Sequence, residues 1–313
     1  MTTEVLIIGR DSGVFVERLA AEFSALRFRP AHDAAEALKA CGNCEILLVR
    51  NDEIFADLIA AMPRLRFIQA LTTGTDDIAA LPNLPPQVMV AAARGFHGPQ
   101  MSELAFLFML AFARKFPAVL EKQRRHVWDR CEQRLLAGKT AVIVGVGKIA
   151  EELAHRCKVF GMTVVGVSSR ASAPGFEALY PRARLPEAAG RADFLIVLAP
   201  LTKENRHLVN AAAIDAMKPE GVLINIARGG VVDEDALLKA LVAKRIAGAG
   251  LDVFQKEPLP SDSPFWDMPN VIITSHVGGM SEEYADQVMS LLIDNLRAFV
   301  DGKPERISYI VKF

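Results

Sequence analysis

Thr140-Ala-Val-Ile-Val144, Gly145-Val-Gly147-Lys-Ile-Ala150 and Glu151-Glu-Leu-Ala-His155 follow one another in the middle of the chain. An apolar, β-rich run meets Gly-x-Gly-x-x-Ala and continues as a helix. That is the strand–turn–helix context of a dinucleotide fingerprint. The first Gly permits the tight turn, the second lets the backbone approach a pyrophosphate, and Ala150 keeps the helix close to the strand. The helix start, with Lys148 and Ile149, offers N–H groups and positive dipole to phosphates. Most dinucleotide folds begin with this turn, so a different unit must precede it here.

Outward from the turn, apolar strand-like runs alternate with helical patterns, giving an α/β fold with parallel sheets. The first third reads Val5–Ile8, a helix near Val14–Phe23, Ile46–Val49, a helix near Ile54–Met62 and Phe67–Ala70, with Val88–Ala91 after an irregular Pro-rich turn. This is a small doubly wound unit. Gly9 and Gly13 do not have dinucleotide spacing. A helix near Ser102–Phe116, apolar all round, is expected to be buried in a core or a subunit interface. A charged stretch, Glu121–Arg134, leads to the turn. Beyond it come Val164–Val167, Phe194–Leu198, Val222–Ile226, Gly248–Leu251 and Val271–Thr274, six strands with the one before the turn. The expected division is 1–98 with 285–313, and 99–284, the final helix near Glu282–Val300 returning to the first domain.

The 313 residues are 51% hydrophobic and 23% charged, with formal net charge −1, which suits a packed globular protein. No basic patch points to nucleic acid and no basic amphipathic stretch to a membrane surface. The N-terminal apolar run reads as a buried strand rather than a signal peptide, so a reducing cytoplasm is the expected home. Cys41-Gly-Asn-Cys44 lacks a second ligand pair at zinc spacing, so the pair reads as turn residues and no metal site is expected.

Three strand ends of the second domain carry chemistry: Ala227-Arg228-Gly229, Asp252-Val-Phe-Gln-Lys-Glu257-Pro258 and Ser275-His276-Val-Gly278. Singly, each has an ordinary surface-loop reading. Together, downstream of a dinucleotide turn, they describe hydride transfer. Arg228 can bind a carboxylate and polarise a carbonyl, His276 can move the alcohol proton, and Glu257 can orient His276 and stabilise its imidazolium.

These residues resemble the D-isomer-specific 2-hydroxyacid dehydrogenase family over nearly the whole chain. The likeness also includes Leu198-Ala-Pro200-Leu-Thr202 and Met217-Lys-Pro219-Glu-Gly221. It implies a Rossmann dinucleotide domain inserted into a smaller flavodoxin-like substrate domain, with Arg228, Glu257 and His276 catalytic. It implies that Asp252 lies near the nicotinamide carboxamide, and that the loop Thr72-Thr73-Gly74-Thr75 holds the substrate carboxylate through backbone N–H groups. Arg94-Gly95-Phe96-His97 is expected to face the same cleft. The active site would lie between the domains and close by a hinge. The helix near Ser102–Phe116 would pair two subunits as a homodimer.

Dinucleotide-binding enzymes that use NAD place an acid about 20 residues after the turn. Here the strand ends Ser168-Ser169-Arg170, which suits a 2′-phosphate, so NADP(H) is the preferred cofactor and NAD(H) a possible one. The reaction expected is reduction of a small 2-oxo acid, glyoxylate or hydroxypyruvate, to a D-2-hydroxy acid. A dinucleotide-sensing corepressor-like protein is the alternative from another class. Phosphite or formate oxidation is another on the same scaffold, although Glu257 stands where formate enzymes carry Gln.

Overall fold

The computed structural model describes residues 2–312. Its strands are β1 (Thr3–Ile8), β2 (Leu26–Ala31), β3 (Cys44–Val49), β4 (Phe67–Ala70), β5 (Met89–Ala91), β6 (Thr140–Val144), β7 (Thr163–Val167), β8 (Ala178–Tyr180), β9 (Phe194–Val197), β10 (Val222–Asn225), β11 (Gly248–Leu251), β12 (Val271–Ile273) and β13 (Ile310–Val311). The chain divides into two compact units, residues 1–96 with 281–313 and residues 97–280. These breaks fall two and four residues before the boundaries read from the sequence.

In the first unit the sheet order is β13-β5-β4-β3-β1-β2, parallel except for β13, which pairs antiparallel with β5. The order β2-β1-β3-β4-β5 is the flavodoxin-like arrangement. Both faces are covered, so the strands are apolar continuously rather than alternately. Val5, Ile7, Ile46 and Leu48 pack to one side with the helix Tyr284–Val300, while Leu6, Ile8, Leu47 and Val49 pack to the other. The strand β2 was not legible: Arg27, Arg29 and Pro30 interrupt it, and it survives because it is an edge.

In the second unit the order is β12-β11-β10-β9-β6-β7-β8, all parallel. From β6 this is the doubly wound 3-2-1-4-5-6 order extended by one strand. Seven strands replace the six expected, because β8 is three half-buried residues at an edge. The sheet alternates cleanly between two cores: Val142, Val144, Leu195 and Val197 on one face, Ala141, Ile143, Phe194 and Ile196 on the other.

The helix near Ser102–Phe116 spans Gly98–Ala113; within the single chain Leu107 is 53% exposed and Leu110 37%, in one stripe with Glu103. Its opposite face carries Phe108, fully buried against Gly250 of β11. Pro117, four residues beyond the end of this helix, sits in the first turn of the next, Phe116–Arg124, where a missing N–H costs nothing. Cys41 and Cys44 flank a tight turn, closed by the Cys44 N–H on the Cys41 carbonyl at 2.9 Å, and both thiols are buried in the core, where burial pushes Cys44 up to about 12. Such a thiol is inert as a nucleophile or metal ligand. Among the described residues no helix is long and apolar enough to cross a membrane.

Candidate active site

In the second unit, Arg228, Glu257 and His276 all follow the C-terminal ends of neighbouring strands, β10, β11 and β12, where open α/β sheets bind ligands. His276 Nδ1 lies 2.7 Å from Glu257 Oε2, and the other carboxylate oxygen accepts from the Phe254 N–H at 2.8 Å. The hydrogen bond to Glu257 raises the His276 pKa, aided by the charges of Glu257 and Asp252, and outweighs burial and Arg228. Burial opposes ionisation of Glu257, yet its bonds to His276 and Phe254, with the His276 and Arg228 charges, hold it below the usual range. The pair therefore favours the protonated imidazole.

The Arg228 loop is held tightly. Asn225, 1% exposed, donates from Nδ2 to the Arg228 carbonyl at 3.0 Å and accepts from the Ala227 N–H at 3.3 Å. The Arg228 guanidinium donates to the Ala227 carbonyl at 2.7 Å. Gly229 is required by close approach: a Cβ there would lie 1.9 Å from the Phe254 carbonyl carbon. The Arg228 loop and the loop bearing Glu257 therefore touch backbone to backbone. Glu234 ties the second loop down by accepting from the Gln255 N–H.

Asp252 has a role that sequence reading did not supply. It is 1% exposed, and its carboxylate accepts from the Thr274 hydroxyl, the Val277 N–H at 2.9 Å and the Gly278 N–H at 2.9 Å. Its backbone carbonyl accepts from the His276 N–H at 2.8 Å. These bonds bracket His276, which sits at φ +53°, a left-handed conformation uncommon outside glycine. His97 is 7% exposed and packs against Gly279 of the same loop.

The dinucleotide turn has the geometry its residues imply. Gly145 adopts φ +95°, and a Cβ there would lie 2.5 Å from the Ala199 nitrogen. At Gly147 a Cβ would meet no protein atom within 4 Å, so the chain's own packing does not demand glycine there. A pyrophosphate approaching the backbone does, and the residues fit that group. Lys148 and Ile149 open the helix Lys148–Val159, and Ser168 and Ser169 follow β7. Arg170 turns back onto the turn, donating to the Val146 carbonyl at 3.4 Å and to Glu151 at 2.7 Å. The Thr202 hydroxyl accepts from the Asn205 N–H, and Asn205 Nδ2 donates to the Pro200 carbonyl, fixing the loop after β9.

In the first unit, Thr72 to Thr75 follow β4. Tyr284 donates to the Leu71 carbonyl at 2.6 Å, Thr72 to the Gly74 carbonyl at 2.8 Å and Thr73 to the Ala93 carbonyl at 2.9 Å. The threonine hydroxyls thus shape the loop from within. Asn51, unforeseen, accepts from the Asp77 N–H at 3.0 Å and secures the helix start beyond.

A dinucleotide turn, a histidine–carboxylate pair and an arginine on adjacent strand ends define an NAD(P)-dependent dehydrogenase. Residues 106–278 match the family model for the NAD-binding domain of the D-isomer specific 2-hydroxyacid dehydrogenases. The chain belongs to that family. A glyoxylate/hydroxypyruvate reductase B of Pectobacterium atrosepticum is 34% identical over 87% of this chain and 88% of its own. A family protein of Aeromonas salmonicida superposes with TM-score 0.91 at 32% identity, covering 100% of this chain and 99% of its own. An NADPH-dependent glyoxylate/hydroxypyruvate reductase of Sinorhizobium meliloti, solved with NADP and sulfate, gives 0.85 at 29%, covering 99% and 98%. A D-3-phosphoglycerate dehydrogenase of Methanocaldococcus jannaschii is 31% identical over 86% of this chain, which spans only 52% of that relative.

Proposed function

We propose that the protein reduces small 2-oxo acids to D-2-hydroxy acids, with glyoxylate and hydroxypyruvate as substrates and NADP(H) preferred over NAD(H). The observation that carries the reading is the 2.7 Å contact between His276 and Glu257. It leaves Nε2 of an imidazolium as the proton donor. The nicotinamide, when bound, supplies the hydride. Arg228 pairs with the substrate carboxylate through its planar fork and draws charge toward the carbonyl oxygen. The Thr72–Thr75 loop holds the carboxylate through backbone N–H groups. His276 then protonates the forming alkoxide, and Glu257 stabilises the ring while it is charged. Gly145, Gly147, Lys148 and Ile149 hold the dinucleotide phosphates. Pro200, Thr202, Ala227 and Gly278 line its path, and Ser168, Ser169 and Arg170 take the 2′-phosphate.

The name of the Sinorhizobium reductase supports both the substrate class and the cofactor. The testing assay is oxidation of NADPH against NADH with glyoxylate, hydroxypyruvate, pyruvate and bulkier 2-oxo acids. Fast NADPH-linked turnover on the small acids is expected, and cofactor binding without turnover on any acid would sink the proposal. Ser168→Asp with Arg170→Ala is expected to move preference toward NADH, because a carboxylate repels the 2′-phosphate and the guanidinium is gone. An unmoved ratio of kcat/KM values would remove these residues from the assignment.

Glu257→Gln tests the proton donor. His276 has its pKa raised by Glu257, so reduction, which needs the protonated ring, persists to higher pH than a lone histidine allows. Removing the charge lowers that pKa, and the alkaline limb of the reduction profile is expected to move to lower pH. A limb that stays put would show that another group delivers the proton. We also propose a cytoplasmic homodimer paired through the stripe of Leu107 and Leu110. Light scattering should give twice 34.1 kDa.

A further inference from the structure

We propose that Glu151 is a specificity-determining residue, one that weakens the hold of this chain on a 2′-phosphorylated dinucleotide. Glu151 lies in the first turn of the helix that the glycine turn opens. Its two carboxylate oxygens are each engaged by a cation, Oε1 by Arg170 at 2.7 Å and Oε2 by Lys148 at 3.2 Å. The carboxylate is the least exposed member of the trio, its side chain 17% accessible against 43% for Arg170 and 84% for Lys148. The same Arg170 nitrogen that meets Glu151 donates to the Val146 carbonyl inside the glycine turn, and the Arg170 N–H donates to the Ser168 hydroxyl at 3.1 Å. The hydrogen bond from Arg170 is also the main reason the Glu151 carboxyl stays below its usual range, so it is charged throughout the neutral region.

The inference rests on the reading that Ser168 and Arg170 take the 2′-phosphate. That phosphate carries about −1.5 to −2 charge near pH 7. It meets the Arg170 guanidinium, whose field is already partly cancelled by the Glu151 carboxylate. To bond Arg170 through its fork it must share or displace Glu151, and it remains near that negative charge. A 2′-hydroxyl carries no charge and meets no such opposition. Glu151 therefore narrows the gap between the two dinucleotides, although Ser168 and Arg170 favour the phosphorylated one.

The test measures dissociation constants for NADPH and NADH by fluorescence titration of the whole protein, for the parent chain and for Glu151→Gln, Glu151→Ser and Arg170→Ala. Both Glu151 variants are expected to raise selectivity for NADPH about three- to thirtyfold, the range for loss of one partly screened charge contact. The gain should shrink as salt rises. A structural role for Glu151 would weaken both cofactors together and leave the ratio unmoved. If Arg170→Ala selectively weakens NADPH while the Glu151 variants leave the ratio unchanged or lower it, Glu151 has no such role and the 2′-phosphate site stands. If Arg170→Ala does not selectively weaken NADPH, the site reading and the inference fall together.

Discussion

His276→Ala is expected to lower kcat for 2-oxo acid reduction by about two to four orders of magnitude, the usual worth of a positioned general acid. Cofactor binding should largely persist, because the glycine turn that would hold the phosphates follows β6 and is untouched by the substitution. One complication is physical. Position 276 adopts φ +53°, and alanine is less tolerant of that region than histidine or asparagine. His276→Asn is therefore the companion variant, since it keeps the backbone conformation and cannot transfer the proton. Equal losses in the two place the effect in chemistry. Turnover within tenfold of the parent in either would refute the assignment of His276 as donor.

The sequence made the second unit legible in outline because its strands are buried on both faces. Runs such as Ala141–Val144 and Phe194–Val197 are then continuously apolar and hard to mistake. Edges were lost for the converse reason: β2 carries arginines on alternate residues and β8 is three residues long. The pairing of His276 with Glu257 was readable, since both follow apolar strands and their chemistry is complementary. The supporting residues were not. Glu234 and Asn51 act through backbone groups of loops distant in sequence, Thr274 through the Asp252 carboxylate and Asn225 on the backbone of its own loop, and no spacing rule marks an asparagine that will cap a neighbouring loop. Glu151 was hidden differently. On a helix it looks like one more exposed acid, and only the return of Arg170 over the turn shows its place.

Asp252→Asn separates two accounts of that residue, and its expected effect is large. The family resemblance sets Asp252 beside the nicotinamide carboxamide, while the structure commits both its oxygens to the loop of His276. An asparagine keeps the shape but presents an amide N–H₂ where one oxygen stood. The Val277 or the Gly278 N–H then faces a donor, or the Thr274 hydroxyl must turn away. Leaving one buried donor unsatisfied costs about 1–3 kcal/mol. Domains of ordinary stability hold about 5–15 kcal/mol, so the fold survives the change. The loop itself does not: His276 leaves its left-handed conformation for part of the time. At about 1.4 kcal/mol per tenfold, kcat is expected to fall about ten- to a hundredfold. The lost charge also removes one contribution that raises the His276 pKa, so the alkaline limb of reduction should move to lower pH. If Asp252 acted only on the cofactor, the variant would instead weaken NADPH and NADH together and leave that limb in place. A fall in kcat with a shifted limb and preserved cofactor affinity makes Asp252 the clamp of the proton donor.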